Sequence, residues 1–212
     1  MIPKRLFFIW IGNNVPPYVD FCINAFKKVN PDFEIEFVHE NSINNDNLDF
    51  KEVSDILKDK KSIYYKIWCS PFKKHNLNHS TISRNIWFSD ILRIHLINKY
   101  GGIYLDCDTF PVKSFDDKLL SLKCFNIITE NRKKERYVDC FFMGSQIGEY
   151  FKNKRTHILT KIFSHRELKS SKIDPILTKN KENFFNCIED FDLDHCMRNK
   201  YILHFKAMEW MK

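Results

Sequence analysis

The sequence predicts an α/β fold built on a single, mostly parallel central sheet flanked by helices. Three observations predict it. An apolar run, a helix-spaced run and an alternating run follow one another at the start, a β-helix-β opening that calls for parallel strands. A long helical stretch over residues 81–99 then passes through Gly101-Gly102 into another strand-like run. Two more strand-like runs, at 125–130 and 138–144, follow it.

Each element has its own signal. LFFIWI at 6–11 is wholly apolar and reads as a buried strand, stopped by Gly12-Asn13-Asn14. Pro16-Pro17 opens a helix over 18–29, with Val19, Cys22, Ile23 and Phe26 at helical spacing. Pro31 breaks it, and FEIEFV at 33–38 alternates as a half-buried strand does. Residues 41–60 are polar and read as loop and short helix. The helix at 81–99 ends on Tyr100-Gly101-Gly102, a helix C-terminal signal. Residues 147–200 mix short helices and loops, and YILHF at 201–205 reads as a last strand. No repeat or low-complexity linker interrupts the chain.

Composition narrows the class. The 212 residues are 43% hydrophobic and 15% aromatic, enough for one good-sized core and too little for two full domains. The 34 basic and 27 acidic residues give a net charge of +7, spread along the chain. That excess reads as a solvated basic surface, or as attraction to a nucleotide, a polyanion or an anionic leaflet. NRKKER at 131–136 has the character of an exposed loop, and no nucleic-acid-binding signature accompanies it. Seven cysteines, an odd number with no C-x-x-C spacing, argue against zinc ribbons and thioredoxin chemistry and for a reducing compartment. MIPKRLFFIWIGNN mimics a secretion signal, but its apolar run is short and lacks a small-residue cleavage site. No apolar run reaches membrane-spanning length.

GGIYLDCDTF at 101–110 carries the chemistry. Read as a strand, its side chains alternate, so Ile103, Leu105 and Cys107 face the core while Tyr104, Asp106 and Asp108 share the other face. Pro111 soon stops the strand and leaves Asp108 at its rim. In open α/β sheets ligands bind just outside the carboxyl ends of strands. A divalent cation held by one or two carboxylates plus substrate phosphates suits such an Asp-x-Asp. An isolated Asp-x-Asp can equally be two turn residues paired with lysines. The preceding helix carries Asp90 and Arg93, three apart on one face, which alone would read as an intrahelical ion pair.

Together these residues form SDILRIHLINKYGGIYLDCD. The string strongly resembles the signature of the DXD sugar transferases of glycosyltransferase family 32, to which the catalytic domains of the large glucosylating toxins are related. IPKRLFFIWIG resembles the family's opening, with Phe7 where a histidine is common. PDFEIEFVHEN resembles its second strand. YILHFKAMEW resembles its close, with Glu209 in place of the serine before Trp210.

The resemblance implies a GT-A-type fold over a single domain, residues 1–212. The nucleotide-binding half, 1–112, would end in the DXD motif. The acceptor-side half, 113–212, would close in a C-terminal lid. The resemblance also implies roles. Trp10 would stack on the nucleotide base, unless it is a core tryptophan. Ser89 and Asp90 would contact nucleoside or donor sugar, and Arg93 the sugar hydroxyls or the diphosphate. Tyr104 would pack against ribose or base. Asp106 would hold ribose and metal-bound water, and Asp108 would ligate the metal directly. His204, which alone would read as a core histidine, is the further ligand, with Glu209 as alternative. Trp210 would close over the leaving diphosphate, or simply anchor the chain end.

The implied cofactor is Mn2+ or Mg2+, with manganese favoured by an imidazole ligand. The implied donor is a UDP-sugar rather than GDP-mannose, and the acceptor a glycan, a lipid-linked saccharide or a protein. Transfer in the family retains anomeric configuration. Asp139 is the best candidate for a carboxylate on the acceptor face, although same-face internal return needs no nucleophile. The sequence therefore reads as a cytoplasmic transferase, with peripheral membrane association left open and no nucleic acid as partner. The alternative is a catalytically degenerate sugar-nucleotide binder.

Overall fold

The computed structural model describes residues 1–11, 14–39, 58, 61, 81–130, 136–150 and 201–204. Of 81–87, 126–130 and 136–140 only the backbone is described. The segments read from sequence as loops and short helices, 41–60 and most of 147–200, lie outside these residues, apart from Lys58 and a turn at 147–150.

The opening unit forms as its pattern requires. Strand β1, Arg5–Trp10, is followed by helix α1, Pro17–Val29, and strand β2, Glu34–His39. β1 and β2 pair in parallel, from Arg5 opposite Glu34 to Trp10 opposite His39. Alternation along β1 divides its side chains between two layers. Phe8 meets Phe26 of α1 with ring centroids 5.4 Å apart. Phe7 points the other way and meets Tyr100, 6.4 Å distant, on helix α2, Thr81–Tyr100. The two helices thus cover opposite faces of the sheet.

The passage from α2 into strand β3, Gly102–Leu105, depends on both glycines. Gly101 adopts φ 68° and donates its N–H to Ile97 O at 3.1 Å, closing the helix in a left-handed cap. Gly102 has φ 115°, and a Cβ there would lie 2.7 Å from Arg5 O. β3 is thereby laid directly against β1, with Phe7 opposite Tyr104 and Phe8 opposite Leu105.

Strand β4, Thr109–Pro111, and the one-turn helix α3, Asp117–Leu120, come next. Strands β5, Cys124–Glu130, and β6, Arg136–Ser145, then form an antiparallel hairpin whose β6 lies against β3. The sheet order is β2-β1-β3-β6-β5. Every strand but β6 runs in one direction, so the sheet is mostly parallel, as expected. Beyond the single sheet expected from sequence, β4 pairs with strand β7, Ile202–His204, in a separate two-stranded ribbon. The core on the α1 side is continuous from Leu6 and Phe8 through Val19, Phe26 and Ile103 to Phe115 and Tyr201.

Among the described residues, Cys22, Cys107 and Cys124 are buried cysteines that form no disulfide. No helix among them is long and apolar enough to cross a membrane.

Candidate sugar-transfer site

The expected strand through 101–110 stops earlier than its alternation suggests. β3 ends at Leu105, and Asp106 begins a turn. Asp106 donates its N–H to Phe141 O at 2.8 Å. Its own carbonyl accepts the Thr109 N–H at 3.2 Å and the Thr109 hydroxyl at 2.6 Å. Cys107, at the middle of this turn, points into the core and donates its thiol to Ile9 O at 3.3 Å. With the cysteine anchored inward, the carboxylates on either side stay at the surface. Asp106 and Asp108 do come together as expected, but a turn rather than a strand face brings them there.

His204 joins them from the far end of the chain. In the β4–β7 ribbon it lies opposite Thr109, the residue after Asp108. Its Nε2 is 3.1 Å from Asp108 Oδ1 and 4.0 Å from Asp106 Oδ2. One ligand atom from each of the three residues lies within 4.8 Å of the others. The imidazole stacks on Phe141 with centroids 4.1 Å apart, which fixes the plane of the ring. Its other nitrogen, Nδ1, is buried without a hydrogen-bond partner among the described residues.

Asp106 is held from the opposite side. The Arg93 guanidinium reaches Asp90 Oδ1 with Nη2 at 2.7 Å and Asp106 Oδ1 with Nη1 at 3.2 Å. The intrahelical pair read from the sequence therefore exists, and the same arginine also crosses from α2 to the turn. The Tyr104 hydroxyl donates to the same Asp106 oxygen at 2.7 Å, and the guanidinium lies 4.5 Å over the Tyr104 ring. Two donors thus occupy Oδ1, and Oδ2 turns toward His204. Burial pushes the Tyr104 phenol well above its ordinary range, partly opposed by Arg93, so the hydroxyl remains a donor.

The remaining expected residues are placed as follows. Tyr104 is only 1% exposed, so its ring offers no face to a ribose; its geometry suits it to holding Asp106. Ser89 is part-buried, and its backbone carbonyl accepts Arg93 Nε at 3.5 Å. Trp10 ends β1, part-buried against the core, with an indole N–H that finds no partner among the described residues. Asp139 lies in β6 opposite Ile127 of β5, beyond the end of β3. Its side chain lies outside the described residues, as do Glu209, Trp210 and the rest of the expected lid after His204.

Two neighbours had no signal in the sequence. Phe141 sits in an ordinary apolar run and shows its role only through its stacking on His204. Cys22, on α1, lies within electrostatic reach of Asp108; burial first and then that carboxylate push its thiol up to about 11.

Residues 16–126, which span α1, α2, β3 and the aspartate turn, match the family described as "Glycosyltransferase sugar-binding region containing DXD motif". No curated protein matches the chain. Among solved structures it is similar to the PaToxG glycosyltransferase, with TM-score 0.45 and 20% identity over 77% of this chain and 68% of that one. It is also similar to the catalytic domain of alpha-toxin from Clostridium novyi, with TM-score 0.40 and 13% identity over 70% of this chain and 55% of that one. The chain thus spans about half the length of that toxin domain. A third likeness, to a transferase, has TM-score 0.45 and 12% identity over 80% of this chain and 89% of that one. These structural likenesses are too distant to carry weight beside the family match. That match covers more than half of the chain and includes both aspartates of the turn, so the chain belongs to the family of DXD-containing glycosyltransferases.

Proposed function

We propose that the protein is a metal-dependent glycosyltransferase that moves a sugar from a UDP-sugar to a glycan, lipid-linked or protein acceptor with retention of configuration. The convergence of Asp106 Oδ2, Asp108 Oδ1 and His204 Nε2 at the carboxyl end of β3 carries this reading. Two carboxylates and an imidazole make an oxygen-and-nitrogen donor set that fits a divalent cation, and the imidazole favours Mn2+ over Mg2+. A partly ligated site also leaves positions for diphosphate oxygens. When bound, the cation would supply Lewis-acid stabilisation of the charge that builds on the leaving diphosphate.

The protein's own residues prepare that arrangement. Arg93 and Tyr104 hold Asp106 through one oxygen and leave the other for the site. Phe141 and the ribbon orient His204. Trp10, at the end of the strand beside β3, is the candidate for stacking on the base. In same-face internal return, the bond from the anomeric carbon to the leaving phosphate breaks as the bond to the acceptor oxygen forms on the same side. The acceptor proton passes to the departing phosphate oxygen, so no enzyme nucleophile is required. Asp139 is the residue to test if a covalent intermediate is found. The segment after His204, with Glu209 and Trp210, is proposed to close over the donor and exclude water.

A donor screen tests the reading. The protein is incubated with Mn2+ and a panel of nucleotide sugars, and released nucleoside diphosphate is detected. Release from a UDP-sugar that stops on adding a chelator is expected. Binding of a nucleotide sugar without turnover, with or without candidate acceptors, would make the protein a sugar-nucleotide binder instead.

A further inference from the structure

His204 lies in β7, which among the described residues pairs with β4 over three residues only, and the third residue of β4, Pro111, has no N–H to give. A ladder this short specifies its register poorly. A slip of one residue would move the strand by about 3.4 Å. It would also turn His204 to the opposite face of the ribbon, away from both aspartates. Something besides the ladder must set the register.

The structure assigns that task to Tyr201, immediately before the strand. Its hydroxyl lies 2.7 Å from both Asp116 oxygens, and its carbonyl accepts the Val112 N–H at 2.8 Å. Its ring packs 5.9 Å from Phe115, with Lys113 Nζ 4.2 Å above it. Asp116 is itself tied down. Its carboxylate caps α3 by accepting the Leu119 N–H at 3.0 Å, and α3 is bound to the amino-terminal segment through Ile2 N–H and Leu120 O at 2.7 Å. We propose that the Tyr201–Asp116 hydrogen bond pins the register of β7 and so presents His204 Nε2 to Asp108 and Asp106. Tyr201 is in this sense a positioning residue. The inference rests on the reading of His204 as a metal ligand.

Calorimetric titration of the full chain with Mn2+ separates the two claims, with melting temperature measured in parallel. Tyr201→Phe keeps the packed ring and removes the hydroxyl. It should weaken Mn2+ binding on the order of tenfold, the usual size for a residue that orients a ligand, with only the modest fall in melting temperature that loss of one hydrogen bond to a carboxylate brings. His204→Ala should weaken binding at least as much. Asp116→Ala should reproduce the loss seen in Tyr201→Phe. Asp116→Asn, which keeps both an oxygen for the hydroxyl and a good helix cap, should restore most of the affinity. Wild-type affinity in Tyr201→Phe beside weak binding in His204→Ala would overturn the pin and leave the metal site standing. Wild-type affinity in His204→Ala would overturn the metal-ligand reading and the pin with it. If Tyr201→Phe fails to fold, Asp116→Ala carries the test, and wild-type affinity there would overturn the proposal.

Discussion

His204 Nε2 lies 3.1 Å from Asp108 Oδ1, although the two residues stand at opposite ends of the chain's second half. A cation bound between them would tie the β4–β7 ribbon to the aspartate turn. Anything that binds the folded state alone stabilises it, by about 2.7 kcal/mol at a hundred times its dissociation constant. Mn2+ should therefore raise the melting temperature in a chelator-reversible way, and His204→Ala should shrink that rise. An unchanged melting temperature at saturating Mn2+ would speak against a site spanning these elements.

Arg93→Lys should not be a conservative change. The guanidinium serves Asp90, Asp106 and the Tyr104 ring together, with its side chain only 10% exposed. An ammonium is a point charge and cannot hold both carboxylates with a planar fork. Loss of one charged hydrogen bond costs about 1.5–3 kcal/mol. The expected result is a lower melting temperature together with weaker donor binding in titration calorimetry. Equal donor affinity would confine Arg93 to a structural role.

Trp10 offers a test of base stacking. Trp10→Ala should weaken nucleotide binding by about 1–3 kcal/mol, the range for losing one aromatic platform. Trp10→Phe should lose much less, because it keeps a ring and removes an indole N–H that has no partner among the described residues. Nucleotide affinity unchanged in Trp10→Ala would return the residue to the core.

Gly102→Ala should destabilise the fold rather than the chemistry. A methyl group there would stand 2.7 Å from Arg5 O at φ 115°, against backbone that cannot step aside. Strain of this kind costs about 1–3 kcal/mol. A fall in melting temperature with unchanged Mn2+ affinity per folded molecule is expected, and an unchanged melting temperature would contradict the close approach of β3 to β1.

The elements that could be read from the sequence are those whose own periodicity decides them. β1, α1 and β2 show apolar, helical and alternating spacing, and they form within a residue or two of the expected limits. The hand-over from α2 to β3 was legible because only glycine accepts the two positive φ angles there. The end of β3 was not legible. Period-two alternation continues past Leu105, but the chain turns there, closed by the Thr109 N–H and hydroxyl on Asp106 O, while the Cys107 thiol meets Ile9 O, a contact made in three dimensions only. Alternation places Tyr104 on the same face as Asp106, but says nothing of the Arg93 guanidinium that covers its ring. His204 could be named from the resemblance, but its approach to Asp108 depends on the ribbon with β4, on Phe141 and on Tyr201. None of these has a local signature.

The most direct test of metal-assisted sugar transfer is the rate of nucleoside diphosphate release from the best donor by wild type and Asp108→Asn, each with Mn2+ and with excess chelator. Asparagine keeps the size of the side chain and a neutral oxygen but removes the charge at the point where Asp108 meets His204. If the metal offsets charge on the leaving diphosphate, its loss removes much of the transition-state stabilisation, and each 1.4 kcal/mol lost is about tenfold in rate. The account predicts chelator-sensitive release by wild type and a rate lower by several orders of magnitude in Asp108→Asn. Asp108→Asn releasing nucleoside diphosphate at the wild-type rate, or wild-type release indifferent to the chelator, would contradict it.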